Sequence, residues 1–170
     1  MKNMAKKDSK KDLAEKTNVM RILEQKKVVY TAHSYVNTDA IAGDEVAKAL
    51  GEDPLRVFKT LVTVAPSKNY YVFMVPVNGE LDLKKAAKIV GEKSIEMIKS
   101  KDLLPLTGYI HGGCSPIGMK KLFKTVIHNT AGEFETIFFS AGKIGYQVEC
   151  SLLDLKKVIP VIEADIASEN

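Results

Sequence analysis

At 170 residues, 45% hydrophobic and 27% charged, the chain has the size and composition of one ordinary globular domain, able to bury a core without metals or disulfide staples. It has no apolar run of membrane-helix length, no apolar segment of a secretory signal behind its first lysines, and only two cysteines, Cys114 and Cys150; a reducing cytoplasm is the expected setting, and no membrane partner is expected. Six lysines against three acidic residues give positions 1–16 a charge of +3 out of the net +4, so residues 17–170 are nearly neutral, which suits weak RNA binding or affinity borrowed from a partner and gives no reason to expect DNA.

The Lys-rich segment 1–16 reads as a solvated tail, and residues 17–170 as the folded unit. Thr17 or Asn18 can cap a helix running to about Lys26, with Val19, Ile22 and Leu23 on one face. Val28 to Tyr35 is rich in β-formers and reads as a strand. Asp44 to Leu50 is a short helix stopped by Gly51. Arg56 to Ala65 and Tyr70 to Val77 read as two strands joined by the turn Pro66-Ser67-Lys68-Asn69. Asp82 caps a helix through Val90, closed by Gly91. Residues 94–107 fit a short strand followed by a short helix, and Tyr109 to Gly118 a glycine-rich loop. Thr125 to His128, Thr136 to Ser140 and Gly145 to Cys150 are strand-like, and Ser151 opens a last helix in a capping-box pattern. Strands outnumber helices, and tight turns join several of them. The expected fold is α+β: one domain with a curved, mixed, barrel-like sheet and helices packed around it.

Three segments carry chemical interest. In Val57-Phe58-Lys59-Thr60-Leu61, Lys59 shares a face with Val57 and Leu61. An ammonium on an apolar strand face either snorkels to the sheet edge or stands as a fixed cation at the mouth of a pocket, facing a phosphate or a carbonyl oxygen. In the segment Gly108 to Gly118, the pair Gly112-Gly113 lets a ligand approach the main chain, and Pro116 stiffens the exit. It is either an elaborate turn or a cradle whose amides converge on an oxyanion or phosphate. Ser140 to Gly145 is a tight connection between strands that could also wall a pocket opposite that loop. Cys114 with His111 as base would be a thiol-nucleophile pair, but two glycines between them hold nothing firmly. His33 and His128 read as structural histidines. No Cys or His cluster has metal-ligand spacing, no cofactor fingerprint occurs, and no carboxylate pair stands out; neither a metal nor a cofactor is expected.

Taken in order, the motifs resemble the YbaK/EbsC family of free-standing aminoacyl-tRNA deacylases, related to the editing insertion of bacterial prolyl-tRNA synthetases. They are His33-Ser34-Tyr35, Gly43-Asp44-Glu45, Phe58-Lys59-Thr60-Leu61, Leu83-Lys84-Lys85-Ala86-Ala87, Gly112 to Pro116 in the form GxxxP, Glu133-Phe134-Glu135-Thr136, and Ser140-Ala141-Gly142-Lys143 with Gly145. The resemblance runs from about residue 18 to residue 160. Departures are Ala141 and Ile144, where relatives often have glycine and arginine, and Ala42, where some carry an aromatic residue.

The resemblance implies a trans-editing deacylase that cleaves cysteine from a proline tRNA, Cys-tRNA(Pro), and also cysteine from its own tRNA, with prolyl-tRNA synthetase as a partner. It implies that Lys59 orients the substrate and that the amides of Gly113, Cys114 and Ser115 hold the developing oxyanion. Tyr35, Thr60, Gly112, Pro116, Ser140 and Gly142 would form the substrate pocket. In cysteine-specific relatives the substrate's own thiol attacks its carbonyl. The alternatives are a deacylase for alanine or another small amino acid, a non-catalytic tRNA- or synthetase-binding module, and an interaction protein that uses the Lys tail.

Overall fold

Thr17 starts the first helix: its hydroxyl accepts from the Met20 amide at 3.2 Å and opens α1 (Asn18–Gln25), which buries Val19, Met20 and Leu23. The computed structural model describes residues 16–168, so the Lys-rich segment, apart from Lys16, lies outside the described residues. Lys16 pairs with Glu24 at 2.9 Å. Lys27 then turns the chain with a left-handed backbone, and β1 (Thr31–Ser34) follows. The expected strand from Val28 is shorter here because its partner runs out. Thr31 pairs with Glu149, and beyond Cys150 the partner chain leaves into a helix cap. Val29 is accordingly exposed.

The helix α2 (Gly43–Leu50) ends at Gly51, and α3 (Leu83–Val90) at Gly91, both glycines having left-handed angles. Asp82 caps α3 by accepting from the amides of Lys84 and Lys85, each at 3.0 Å. Between these helices lie β2 (Phe58–Val64) and β3 (Tyr70–Pro76), paired antiparallel from Phe58–Pro76 to Val64–Tyr70. Residues 94–107 form β4 (Glu96–Met97) and α4 (Ser100–Thr107), which contains Pro105. Then come β5 (Lys124–His128), a 3-10 turn (Asn129–Glu133), β6 (Ile137–Ser140), β7 (Tyr146–Cys150), α5 (Leu152–Val158) and β8 (Ile162–Ala164).

The strands form two sheets, of order β1-β7-β6 and β4-β2-β3-β5-β8; β3, β5 and β8 run parallel to one another, and the other pairings are antiparallel. The fold is α+β with helices packed around the sheets, but the strands do not close into the barrel-like surface expected from the sequence. The sheets join at a parallel bridge between Val57 and Phe138, where the Phe138 amide donates to the Arg56 carbonyl at 2.9 Å. At its other end the outer edge of β2 is paired with β4, at Thr63 and Val64. Between these attachments, around Lys59 to Leu61, no strand lies on that edge among the described residues. This gap in the sheet is what makes room for a cavity.

The main core packs α1 and α5 against β6 and β7, with Phe58, Met74 and Ile127 of the larger sheet closing it. A second cluster lies under α3, with Phe73, Val75, Val126 and Ile166. A small third one joins α2 to the bridge through Ala47, Val57, Val77 and Phe138. Among the described residues, no helix is long and apolar enough to cross a membrane.

Candidate active site

The gap beside β2 holds a cavity of about 340 Å³. Lys59 and Thr60 form part of its wall from β2, Tyr35 follows β1, and Ser140 ends β6. Gly112 and Cys114 bring the glycine-rich loop to the same wall. Six of the ten residues singled out from the sequence therefore meet around one space. Gly113, Ser115, Pro116 and Gly142 do not reach its wall, and the first three are buried behind it. The floor is apolar, supplied by Val46 of α2, Met97 and Ile98 at β4, and Leu103 of α4.

Two loops meet here main chain to main chain. A methyl group added at Gly113 would stand 3.2 Å from the Ile144 amide nitrogen and 3.4 Å from the Lys143 carbonyl carbon. Gly112 has φ +89°, and a side chain there would meet Ile41 at 3.0 Å. The double glycine thus lets the Gly108–Gly118 loop lie directly on the Ser140–Gly145 connection. Tyr109 pins the loop from within, its hydroxyl donating to the Ile117 carbonyl. The Gly113 amide closes a turn on the Ile110 carbonyl at 3.0 Å. The amides of Gly112, Cys114 and Ser115 donate to nothing among the described residues.

Lys59 is half-buried, and its ammonium has neither ion pair nor hydrogen bond among the described residues. No Asp or Glu lines the cavity. The cavity therefore holds an unpaired cation and undonated amides, all suited to negative charge. Burial pushes the Cys114 thiol up to about 12, so it is protonated at neutral pH. His111 is exposed on the cavity rim and makes no contact with it that would act as a base. Among the described residues, no three His, Cys, Asp or Glu side chains are grouped to hold a metal.

Behind the wall stands a brace in which the motif residues His33 and Thr136 meet Arg56 and Glu149, two residues that the sequence did not mark. Arg56 donates to the Thr136 hydroxyl at 2.6 Å, to the Thr136 carbonyl at 3.2 Å and to Glu149 at 3.3 Å. Its guanidinium lies 5.1 Å from the centre of the Phe138 ring. His33 meets the other Glu149 oxygen at 2.9 Å. Burial opposes ionisation of Glu149. Hydrogen bonds from Thr136 and His33, and the charges of His33 and Arg56, outweigh it and hold the carboxyl below its ordinary value. The brace ties β1, β6 and β7 to the start of β2, and so fixes Lys59 relative to Ser140. Gln147, the second residue of β7, also lines the cavity and was likewise not singled out.

Fold and site together define an α+β domain with a half-apolar cavity whose wall carries the Lys59 cation and no carboxylate. The family model of the aminoacyl-tRNA editing domain matches residues 38–158. An Enterococcus faecalis protein, provisionally named Cys-tRNA(Pro)/Cys-tRNA(Cys) deacylase EbsC, is 48% identical over 142 residues, covering 83% of this chain and 87% of that protein. A proline–tRNA ligase of Shouchella clausii is 34% identical over 77 residues, 45% of this chain and 13% of the ligase. The crystal structure of a trans-editing enzyme assigned to prolyl-tRNA synthetase superposes with a TM-score of 0.76 at 21% identity, covering 89% of this chain and 95% of its own. A hypothetical protein of known structure reaches 0.81 at 17% identity, over 88% and 99%. The chain belongs to the aminoacyl-tRNA editing domain family.

Proposed function

We propose that the protein is a trans-editing deacylase that removes cysteine from proline tRNA and also accepts cysteine on its own tRNA. The observation that carries this reading is the shared wall of an unpaired Lys59 ammonium and the undonated amides of Gly112 and Cys114, with no carboxylate beside them. An aminoacyl ester is already activated, so its cleavage needs placement and charge stabilisation more than a strong base. The substrate class comes from EbsC, whose name states it and which matches 83% of the chain.

In this reading Lys59 holds the terminal phosphate or the ester oxygen. The amides of Gly112 and Cys114 receive the oxyanion. Gly113, whose amide already closes a turn, acts instead by letting the loops touch. Ser115 and Pro116 shape the loop from behind, Gly142 carries the facing loop, and Tyr35, Thr60 and Ser140 form the aminoacyl wall. The cysteine thiol attacks its own carbonyl: a C–S bond forms, the ester C–O bond breaks, and the thiol proton passes to the leaving ribose oxygen. The products are free tRNA and a cyclic thiolactone, which water then opens. Serine is spared because its hydroxyl is a far weaker nucleophile at neutral pH; pocket size alone would separate such near-isosteres only about 10- to 200-fold.

The near-neutral folded unit suits a protein that borrows tRNA identity from prolyl-tRNA synthetase in the cytoplasm. The test is a deacylation time course on cysteinyl-, alanyl-, seryl- and prolyl-tRNA with product identification, with and without the synthetase. Cysteinyl-tRNA is expected to be cleaved with thiolactone release, and preference for proline tRNA to require the synthetase. Alanine cleaved while cysteine stays intact would overturn the substrate assignment.

A further inference from the structure

A buried polar atom without a partner costs more than an ordinary hydrogen bond gains, so native structures leave few of them. Among the described residues four side-chain atoms are in this state: the Tyr35 hydroxyl, Thr60 Oγ1, Thr130 Oγ1 and Gln147 Oε1. Three of the four belong to residues on the wall of the cavity. Gln147 is 6% exposed and Tyr35 4%.

Their placement follows from the strand register. Gln147 sits in β7, the central strand of the smaller sheet, directly opposite Ser140 of β6. Opposed residues of an antiparallel pair project to the same face, so both side chains face the cavity. The Tyr35 amide donates to the Gly145 carbonyl at 2.7 Å, which makes Tyr35 the diagonal neighbour of Gln147 on the other side. Thr60 approaches from β2.

All three orphaned atoms are oxygens that accept hydrogen bonds, and the carboxamide oxygen of Gln147 can only accept. The cavity therefore has two chemical sides. On one side Lys59 and the loop amides can only donate; on the other Gln147 Oε1 can only accept, and the Tyr35 and Thr60 hydroxyls can accept or donate. Phosphate, ester and carbonyl groups only accept, so they belong with the first side. The second side needs a group with several donors, and in an aminoacyl ester that group is the α-amine. A carboxylate in place of the carboxamide would instead be drawn to Lys59 and take the site's cation.

Resting on the deacylase reading above, we propose that Gln147, with Tyr35 and Thr60, binds the α-amine of the aminoacyl group and makes the site selective for substrates whose amine is free. Gln147 is a positioning and specificity residue: it turns the carbonyl towards the donors by holding the amine on the opposite wall.

The experiment compares tRNA charged with cysteine and tRNA charged with 3-mercaptopropionate, which keeps the thiol and lacks the amine. Each is prepared both as an ester, for kcat/KM, and as a 3′-amide that does not hydrolyse, for equilibrium binding. The wild-type protein is expected to prefer the amine-bearing member of each pair by roughly 10- to 100-fold, the range of one or two hydrogen bonds to a charged group. Gln147→Leu is expected to bring both ratios to within about threefold of unity, with Tyr35→Phe intermediate, because each removes an acceptor. The proposal is overturned if the wild type treats the two tRNAs alike, or if a folded Gln147→Leu keeps the full preference. Should Gln147→Leu fail to fold, an unchanged ratio in Tyr35→Phe overturns it instead. If the wild type cleaves neither ester yet binds the amine-bearing amide more tightly, the deacylase reading fails and the amine site stands.

Discussion

Lys59 stands beside an apolar floor with neither ion pair nor hydrogen bond to any described residue. An unpartnered ammonium costs stability, which makes sense only if the substrate supplies the missing anion. Lys59→Ala is therefore expected to lower kcat/KM by about 10²- to 10³-fold, the loss typical of one preorganised group that stabilises developing charge. Circular dichroism should show an unchanged fold. Activity within a few-fold of wild type would remove Lys59 from the mechanism. Cys114 is the control at the same scale. Its thiol is pushed up to about 12 by burial, while its undonated amide survives any side-chain change. Cys114→Ala should keep most of the single-turnover rate. A folded but inactive variant would revive a thiol-enzyme mechanism. Lys59 was legible in the sequence because an ammonium on an apolar strand face breaks the alternation. Gln147 was not. In Tyr146-Gln147-Val148-Glu149-Cys150 the polar residues alternate with apolar ones and read as a solvent face. The larger sheet and the Arg56 brace cover that face, and only the fold shows it.

At the scale of elements, the site depends on two loops touching without side chains between them. Gly113→Ala places a methyl group 3.2 Å from the Ile144 amide, closer than most such contacts, and backbone cannot swing aside as a side chain would. The Gly112 and Cys114 amides then shift by tenths of an ångström relative to Ser140. Near-attack geometry is steep in distance, so kcat/KM should fall about tenfold or more while the fold persists. Gly51→Ala provides the contrast. That glycine ends α2 with φ +69° and open space around it. The change should cost about 1 kcal/mol of stability, read as a lower denaturation midpoint, and leave kcat/KM unchanged. Equal activity losses in the two variants would refute a specific role for the loop contact. Helix limits were legible here because caps are local: Thr17, Asp82 and Ser151 each accept from the amides they were expected to satisfy. The length of β1 and the existence of β8 were not, since both depend on where a partner distant in sequence ends or begins.

Over the whole molecule, a long-range contact also sets the response to acid. The segment after β8 is tied back by the Asp82 amide donating to the Ile166 carbonyl at 2.8 Å and by the Ser168 amide donating to the Glu80 carbonyl at 2.9 Å. The Ile166 side chain is fully buried under α3, and its amide donates to Nδ1 of His128 at 3.2 Å. An imidazole nitrogen that accepts this bond must be unprotonated. Burial, aided by the charge of Lys85, holds the His128 pKa below its ordinary value of about 6.5, although Asp165 opposes the shift. With the folded-state pKa below the unfolded one, the unfolded chain takes up the proton first. The contribution of His128 is thus fully present above about 6.5 and is lost as pH falls towards the folded-state value. Glu149, also lowered, gives up its contribution only as pH falls below the ordinary carboxyl value of about 4.5. The two windows are separable. The wild-type melting temperature should decline between about pH 6.5 and 4.5 and then more steeply below. His128→Asn keeps an acceptor for the Ile166 amide and removes the titration, so its melting temperature should decline less across the upper window. Identical slopes there for the two proteins would show that His128 is not the group that couples the docked C-terminal segment to pH.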